Sequence, residues 1–232
     1  MSPRTLSVVI PAHNEERFIG ELLRQLSAVD LQPLGLAREV IAVDDGSSDR
    51  TAEIVRGFPD VRLHRLPRHA GKGAAVRAGL DLATGDLLLI QDADLEYDPR
   101  DHVPMLRALL AGRGEAVYGS RYLEAGRRPS QSVLAYLGGR SLSPFGWLCT
   151  GRWLTDPATA LKLFPRALLA SLALSTSGFE LDHEITAKVL ARGCRIAEVP
   201  VRYRPRSRAE GKKIGVKDWF VACGTFIRYR NG

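Results

Sequence analysis

Between residues 92 and 98 the chain places Asp92, Asp94, Glu96 and Asp98 at every second position, directly after the apolar run 87–90. Carboxylates packed this closely repel one another unless a cation sits among them. Hard oxygen donors of this kind suit Mg2+ or Mn2+, which keep some of their waters and bridge to phosphates. A solvated acidic loop is the plainer alternative, and for an isolated Asp-x-Asp it would be preferred. A cluster at the end of a buried strand favours a metal site held by Asp92, Asp94 and Glu96.

Two other strand-like runs also end in polar residues. Residues 6–10 lead into Pro11-Ala12-His13-Asn14-Glu15, and residues 39–43 lead into Asp44-Asp45-Gly46-Ser47. His13 and Glu15 have the chemistry to contact a nucleobase or ribose. Asp44 or Asp45 can accept hydrogen bonds from a base N–H or a ribose hydroxyl, although a turn with a helix cap accounts for one of the two. Gly71-Lys72-Gly73 at a helix start offers backbone N–H groups, the positive end of the dipole and an ammonium, which together resemble a phosphate cradle. Neither G-x-x-x-x-G-K-[ST] nor a G-x-G-x-x-G after the first strand occurs, which argues against a Walker loop and a dinucleotide enzyme. A nucleotide whose diphosphate is bridged by a metal fits better.

The elements that must position these groups follow from periodicity. Apolar runs at 6–10, 39–43, 61–66, 87–91 and 115–119 read as strands, with helices at 51–57, 72–83, 102–111 and 181–191. A further helix opens at Asn14-Glu15-Glu16, with Phe18, Ile19, Leu22, Leu23 and Leu26 on one face. This alternation predicts an α/β fold with a parallel sheet and helices on both faces, whose strand ends converge. Residues 132–150 are apolar and helical but interrupted by Gly and Pro, and 157–164 reads as an edge strand. Arg202, Arg204, Arg206 and Arg208 alternate, so an extended chain shows them on one face, and Lys212, Lys213 and Lys217 continue the charge. Val216, Trp219, Phe220, Cys223, Phe226 and Ile227 then follow helical spacing, giving an amphipathic helix that packs on the core or lies in a lipid interface.

Composition sets the outer bounds. The 232 residues are 45% hydrophobic and 25% charged, with a net charge of +7. This is ordinary globular composition with room for an anionic partner. The three cysteines are widely spaced and lack C-x-x-C, which predicts reduced thiols without a zinc site or a disulfide framework. The N-terminus runs straight into a strand, so no signal peptide is expected, and no apolar run approaches the roughly 20 residues of a membrane span. A cytoplasmic chain, peripheral at the inner face of the membrane, is the expectation. Nucleic acid is not expected as a partner, because only Tyr203 interleaves the basic run.

The segments VVIPAHNEE, VIAVDDGSSDRT, HAGKGAAVRAGL, GDLLLIQDADLEYDP, VYGSRY, LTDPATALKLF, GFELDHEITAKVLARG and EVPVRYRPRSRAEGKKI occur in this order. Together they resemble family 2 glycosyltransferases, in particular the dolichyl- or polyprenyl-phosphate mannose and glucose synthases, over nearly the whole chain. The resemblance implies a GT-A fold: a Rossmann-like, mostly parallel sheet sandwiched by helices in a single domain. Residues 1–120 would bind the nucleotide sugar, 121–213 the acceptor, and 214–230 would form the amphipathic helix. It implies an inverting, metal-dependent enzyme moving a hexose from a GDP- or UDP-sugar to a lipid phosphate, with Mg2+ or Mn2+ as cofactor. Pro11, His13 and Glu15 would hold the base, with His13 where the family usually has Tyr, joined by Asp44 or Asp45. Lys72 and Asp92 would lie near the nucleotide, and Asp92, Asp94 and Glu96 would hold the metal. Arg121 would bind phosphate near the transferred sugar. Asp182 stands where the family can place a general base, although an acidic first turn of a helix explains it equally well. An acceptor that is itself a phosphate needs cations more than a base, and Arg202, Arg204, Arg206 and Lys212 would supply them.

Overall fold

The computed structural model describes residues 4–123, 133–206 and 216–231. β1 (Arg4–Ala12), β2 (Leu36–Asp44), β3 (Val61–Arg65) and β4 (Leu87–Ile90) alternate with α1 (Ile19–Ser27), α2 (Thr51–Arg56) and α3 (Lys72–Leu82). The second half runs α4 (His102–Leu110), β5 (Ala116–Ser120), α5 (Val133–Thr150), β6 (Lys162–Pro165), α6 (Arg166–Ser171), α7 (Leu181–Ala191), β7 (Ile196–Pro200) and α8 (Val216–Tyr229).

Seven strands form one sheet in the order β3-β2-β1-β4-β6-β5-β7. β6 runs antiparallel to both neighbours, and all other pairs are parallel. The sheet is buried on both faces, as its near-continuous apolar strands require. Leu6, Val8 and Ile10 of β1 with Leu87 and Leu89 of β4 face the layer containing α1, α2 and α4. Val9, Leu88 and Ile90 face the opposite layer, with α3, α6 and α7. Strand order reverses between β1 and β4, so the carboxyl ends of β1, β2 and β4 open into one crevice, where α/β sheets bind ligands.

Two expectations are corrected. The segment 157–164 does not form an edge strand: β6 lies inside the sheet, with Lys162, Leu163 and Phe164 fully buried. Lys162 is neutralised internally, 3.4 Å from Asp182 Oδ1. The first helix begins at Ile19 rather than at Asn14. Asn14 adopts a left-handed φ of 55°, a conformation that asparagine tolerates. Its side-chain oxygen accepts from the Ser48 N–H (2.9 Å) and its N–H donates to the Ser47 hydroxyl (2.9 Å), which ties the β1 and β2 ends together.

Candidate active site

The acidic run lies at the carboxyl end of β4, beside the crevice. It is not extended: Leu95 has a φ of 59°, folding residues 92–96 into a turn. Asp92 Oδ1 lies 2.8 Å from Lys72 Nζ, and Asp94 Oδ2 lies 2.8 Å from Arg206 Nη2. Burial, reinforced by the charges of Asp92 and Glu96 and opposed by Arg206, pushes the Asp94 carboxyl up to about 7. A buried carboxylate that resists ionising is short of positive charge, and hard oxygens are the donor type for Mg2+ or Mn2+. Asp92 and Asp94 therefore fit a divalent cation.

Glu96, assigned from sequence to the same metal, is engaged elsewhere. Its Oε2 accepts from the Tyr203 hydroxyl (2.7 Å), its Oε1 from the Arg206 N–H (2.8 Å), and its carbonyl from the Arg204 N–H (2.8 Å). It anchors the 203–206 segment against the turn. Arg206 does not share an outward face with Arg202 and Arg204. It turns inward onto Glu15 Oε2 (3.0 Å) and Asp94, while Arg202 pairs with Asp101 Oδ1 (2.6 Å) and Arg204 is exposed. Lys212 and Arg208 lie outside the described residues.

Toward the carboxyl end of β1, Pro11 is buried opposite Val43 of β2. Asp45 is buried and its carboxylate accepts from the N–H groups of Ala70 (2.7 Å) and Gly71 (2.8 Å) and lies 2.8 Å from His69 Nδ1. Its carbonyl lies 2.8 Å from His13 Nδ1, and the two imidazoles stack with centroids 4.0 Å apart. Asp44 serves the turn: it accepts from the Ser47 N–H (3.0 Å) and pairs with Arg65 Nε (2.9 Å). Among the described residues His13, Asp45 and His69 are the one group with ligand atoms within 4.8 Å of one another. Their ring nitrogens face Asp45, so the group closes on itself by hydrogen bonds. His69 was missed in the sequence because its partner Asp45 belongs to another loop.

The helix start expected to cradle phosphate is covered by the loop before α7. Ala74 N–H donates to Ser177 O (3.1 Å), and a Cβ at Gly71 or Gly73 would lie 2.4 Å from Ser177 O or 2.6 Å from Thr176 O. What remains of the cradle is Lys72. Its ammonium bridges Asp92 and Asp182 Oδ2 (2.9 Å). Burial alone would lower its pKa, but the charges of Asp182 and Asp92 prevail and raise it. Asp182 also pairs with the fully buried Lys162 Nζ (3.4 Å). Burial opposes ionisation of Asp182, yet the two ammoniums hold it below the usual carboxylate range.

Arg121 is fixed by a fork to the fully buried Asp156, with Nε–Oδ2 at 2.6 Å and Nη2–Oδ1 at 2.7 Å. Its guanidinium lies over the Tyr203 ring, 5.2 Å from the centroid. Glu198 of β7 in turn holds the Thr155 and Asp156 N–H groups at 2.7 and 2.9 Å. Asp156, Lys162, Glu198 and Tyr203 carry no sequence signal beyond their place in longer segments, since each finds its partner across the fold.

Residues 7–169 match the family Glycosyl transferase family 2. The chain belongs to it. This family 2 glycosyltransferase is 29% identical over 221 residues to the dolichol-phosphate mannosyltransferase of Pyrococcus furiosus, covering 90% of this chain and 59% of the relative. It is 31% identical over 218 residues to the undecaprenyl-phosphate 4-deoxy-4-formamido-L-arabinose transferase of Salmonella paratyphi A, covering 90% of this chain and 62% of the relative. The chain thus spans about three-fifths of the length of these curated relatives. Among solved structures it resembles glucosyl-3-phosphoglycerate synthase from Mycobacterium tuberculosis in complex with phosphoglyceric acid, with a TM-score of 0.74 and 25% identity over 97% of this chain and 80% of that one. The same enzyme in complex with Mn2+, uridine diphosphate and phosphoglyceric acid gives 0.68 at 25% identity, over 89% and 73% of the two chains. The GT-A fold expected from sequence is the fold observed.

Proposed function

We propose that the chain transfers a hexose, mannose or glucose, from a nucleotide sugar to a polyprenyl phosphate, with inversion and with a divalent cation held by Asp92 and Asp94. The observation that carries the choice of acceptor is Asp182. A hydroxyl acceptor needs a base to take its proton. Both oxygens of Asp182 face ammoniums, Lys72 and Lys162, which favour its ionised form and reduce its basicity. A phosphate is already ionised at neutral pH and asks only for cations. The names of the two curated relatives support the same acceptor class.

Cleavage of the bond from sugar C1 to the diphosphate builds positive charge on the sugar and negative charge on the leaving group. A bound divalent cation supplies Lewis-acid stabilisation of that leaving group. Lys72, fixed between Asp92 and Asp182, holds its ammonium beside the acidic turn, and Arg121, fixed by Asp156, presents a pre-oriented guanidinium. The stacked His13–His69 pair, with Asp45 beneath it, forms the base end of the crevice. Of Arg202, Arg204 and Arg206, it is Arg204, exposed after β7, that has no carboxylate within ion-pair distance.

For lipid access, no helix among the described residues is long and apolar enough to cross a membrane. α8 buries Ala222, Cys223 and Phe226 against α5 and α7, yet leaves Phe220 66% and Ile227 51% exposed beside Lys217, Arg228 and Arg230. α5 adds Trp147 and Leu148, the latter 78% exposed. An apolar surface edged with cations suits peripheral attachment to an anionic leaflet. Co-sedimentation with vesicles tests this: binding that requires anionic lipid and falls with salt supports it, and binding indifferent to both sinks it.

A second reading keeps the family and takes a soluble hydroxyl acceptor, as the likeness to the phosphoglycerate-binding synthase suggests. Parallel assays of a lipid phosphate and phosphoglyceric acid as acceptors separate the two.

A further inference from the structure

One cation in the acidic turn arrives from the far end of the chain. Arg206 follows β7, yet its guanidinium reaches Asp94 Oδ2 at 2.8 Å and Glu15 Oε2 at 3.0 Å, with Glu96 Oε1 3.7 Å from Nε. The oxygen it takes on Asp94 belongs to a carboxylate assigned to the metal. Arg206 is also imperfectly seated: its Nε is buried without a hydrogen-bond acceptor among the described residues. A buried guanidinium one bond short is a less secure partner than a fully satisfied one. Glu15 lies on the β1 loop, outside the metal set, so Arg206 keeps one carboxylate if it loses the other.

We propose that Arg206 is a stand-in counter-ion that competes with the divalent cation for Asp94, so that loading the metal dislodges the guanidinium and loosens the 203–206 segment held on Glu96. The physical reason is direct. Arg206 Nη2 already occupies Asp94 Oδ2 at 2.8 Å, and a dication and a guanidinium within a few ångströms of each other repel. Arg206 thereby acts as a positioning residue that sets metal affinity and couples it to the basic segment on the acceptor side. The inference rests on the assignment of the metal to Asp94.

The test is Mn2+ binding to the full chain without nucleotide, followed by the EPR signal of free Mn2+, for the wild type, Asp94→Asn and Arg206→Gln. Asp94→Asn should weaken binding at least tenfold, whereas Arg206→Gln should tighten it about tenfold. Arg206→Lys, which keeps the charge and loses the fork, should fall between Gln and wild type. A purely structural arginine would weaken binding when removed. If Asp94→Asn leaves Mn2+ binding unchanged, the metal assignment fails and the inference with it. If Asp94→Asn weakens binding while Arg206→Gln leaves it unchanged or weaker, only the inference falls. Amide hydrogen exchange on the wild type needs no variant to fold. Mn2+ should speed exchange at Arg204 and Arg206, whose N–H groups donate to Glu96. Unchanged or slower exchange there overturns the proposal.

Discussion

Each ionised side chain in the crevice is defined by a partner from elsewhere in the chain. The acidic turn and the Asp44-Asp45 pair are legible in the sequence because carboxylates directly after a buried strand are costly without a purpose. Their partners are not legible. Glu96 meets Tyr203 and Arg206 more than a hundred residues away, and no local spacing reports such a pairing. Lys162 reads as a surface residue on composition alone, since lysine is seldom fully buried, and only its ion pair with Asp182 makes the position intelligible. Lys72 joins α3 to Asp182, so in the proposed transfer Lys72→Met should lower kcat/KM about a hundredfold or more through lost charge stabilisation, measured on protein whose melting shows it folded. Glu184 of α7 gives a pH prediction. Burial resists its ionisation, but Lys188, Thr176 and Ser175 bond the carboxylate and hold it down at about 2, against an ordinary 4.5. Because the folded value is depressed, its stabilisation is full above about 4.5 and disappears as pH falls towards 2. Glu184→Gln should therefore cost roughly 3 kcal/mol at pH 7 and almost nothing near pH 2, as read by denaturant unfolding at the two pH values.

At the level of elements, the nine runs with clean periodicity, five strands and four helices, are readable to within a few residues, since a period of two or 3.6 is imposed by burial on the sheet faces or on one helix face. α7 spans Leu181–Ala191, the same residues that the pattern predicts. β6 was misjudged because a strand of four residues buried on both faces shows no alternation, and nothing local announces an antiparallel insertion between β4 and β5. α8 carries two apolar faces that one helical pattern merges. The inner face is structural: Phe226→Ala should cost about 3–5 kcal/mol from the lost packing against Ala187, Tyr229, Phe145 and Cys149. The outer face is functional in this account. The double variant Phe220→Asp, Ile227→Asp should leave thermal stability within about 0.5 kcal/mol and reduce sedimentation with anionic vesicles several-fold. Unaltered vesicle binding would remove α8 from the docking surface.

Across the whole molecule, the proposed division into a nucleotide-sugar half near 1–120 and an acceptor half near 121–213 is bridged at the crevice by two ion-pair systems. Lys72 of α3 meets Asp182 of α7, and Arg206 meets Glu15 and Asp94. The two proposed halves are thus held against each other by charge, in a crevice that the strand order alone locates. The measurement that bears most directly on the account is hexose transfer from GDP-mannose and UDP-glucose to undecaprenyl phosphate, undecaprenol and phosphoglyceric acid, with Mn2+ and with EDTA. A glycosylated lipid phosphate is expected from one donor, formed only with metal and lost about a thousandfold in Asp94→Asn. Transfer to phosphoglyceric acid or to the unphosphorylated alcohol, with none to the lipid phosphate, would contradict it.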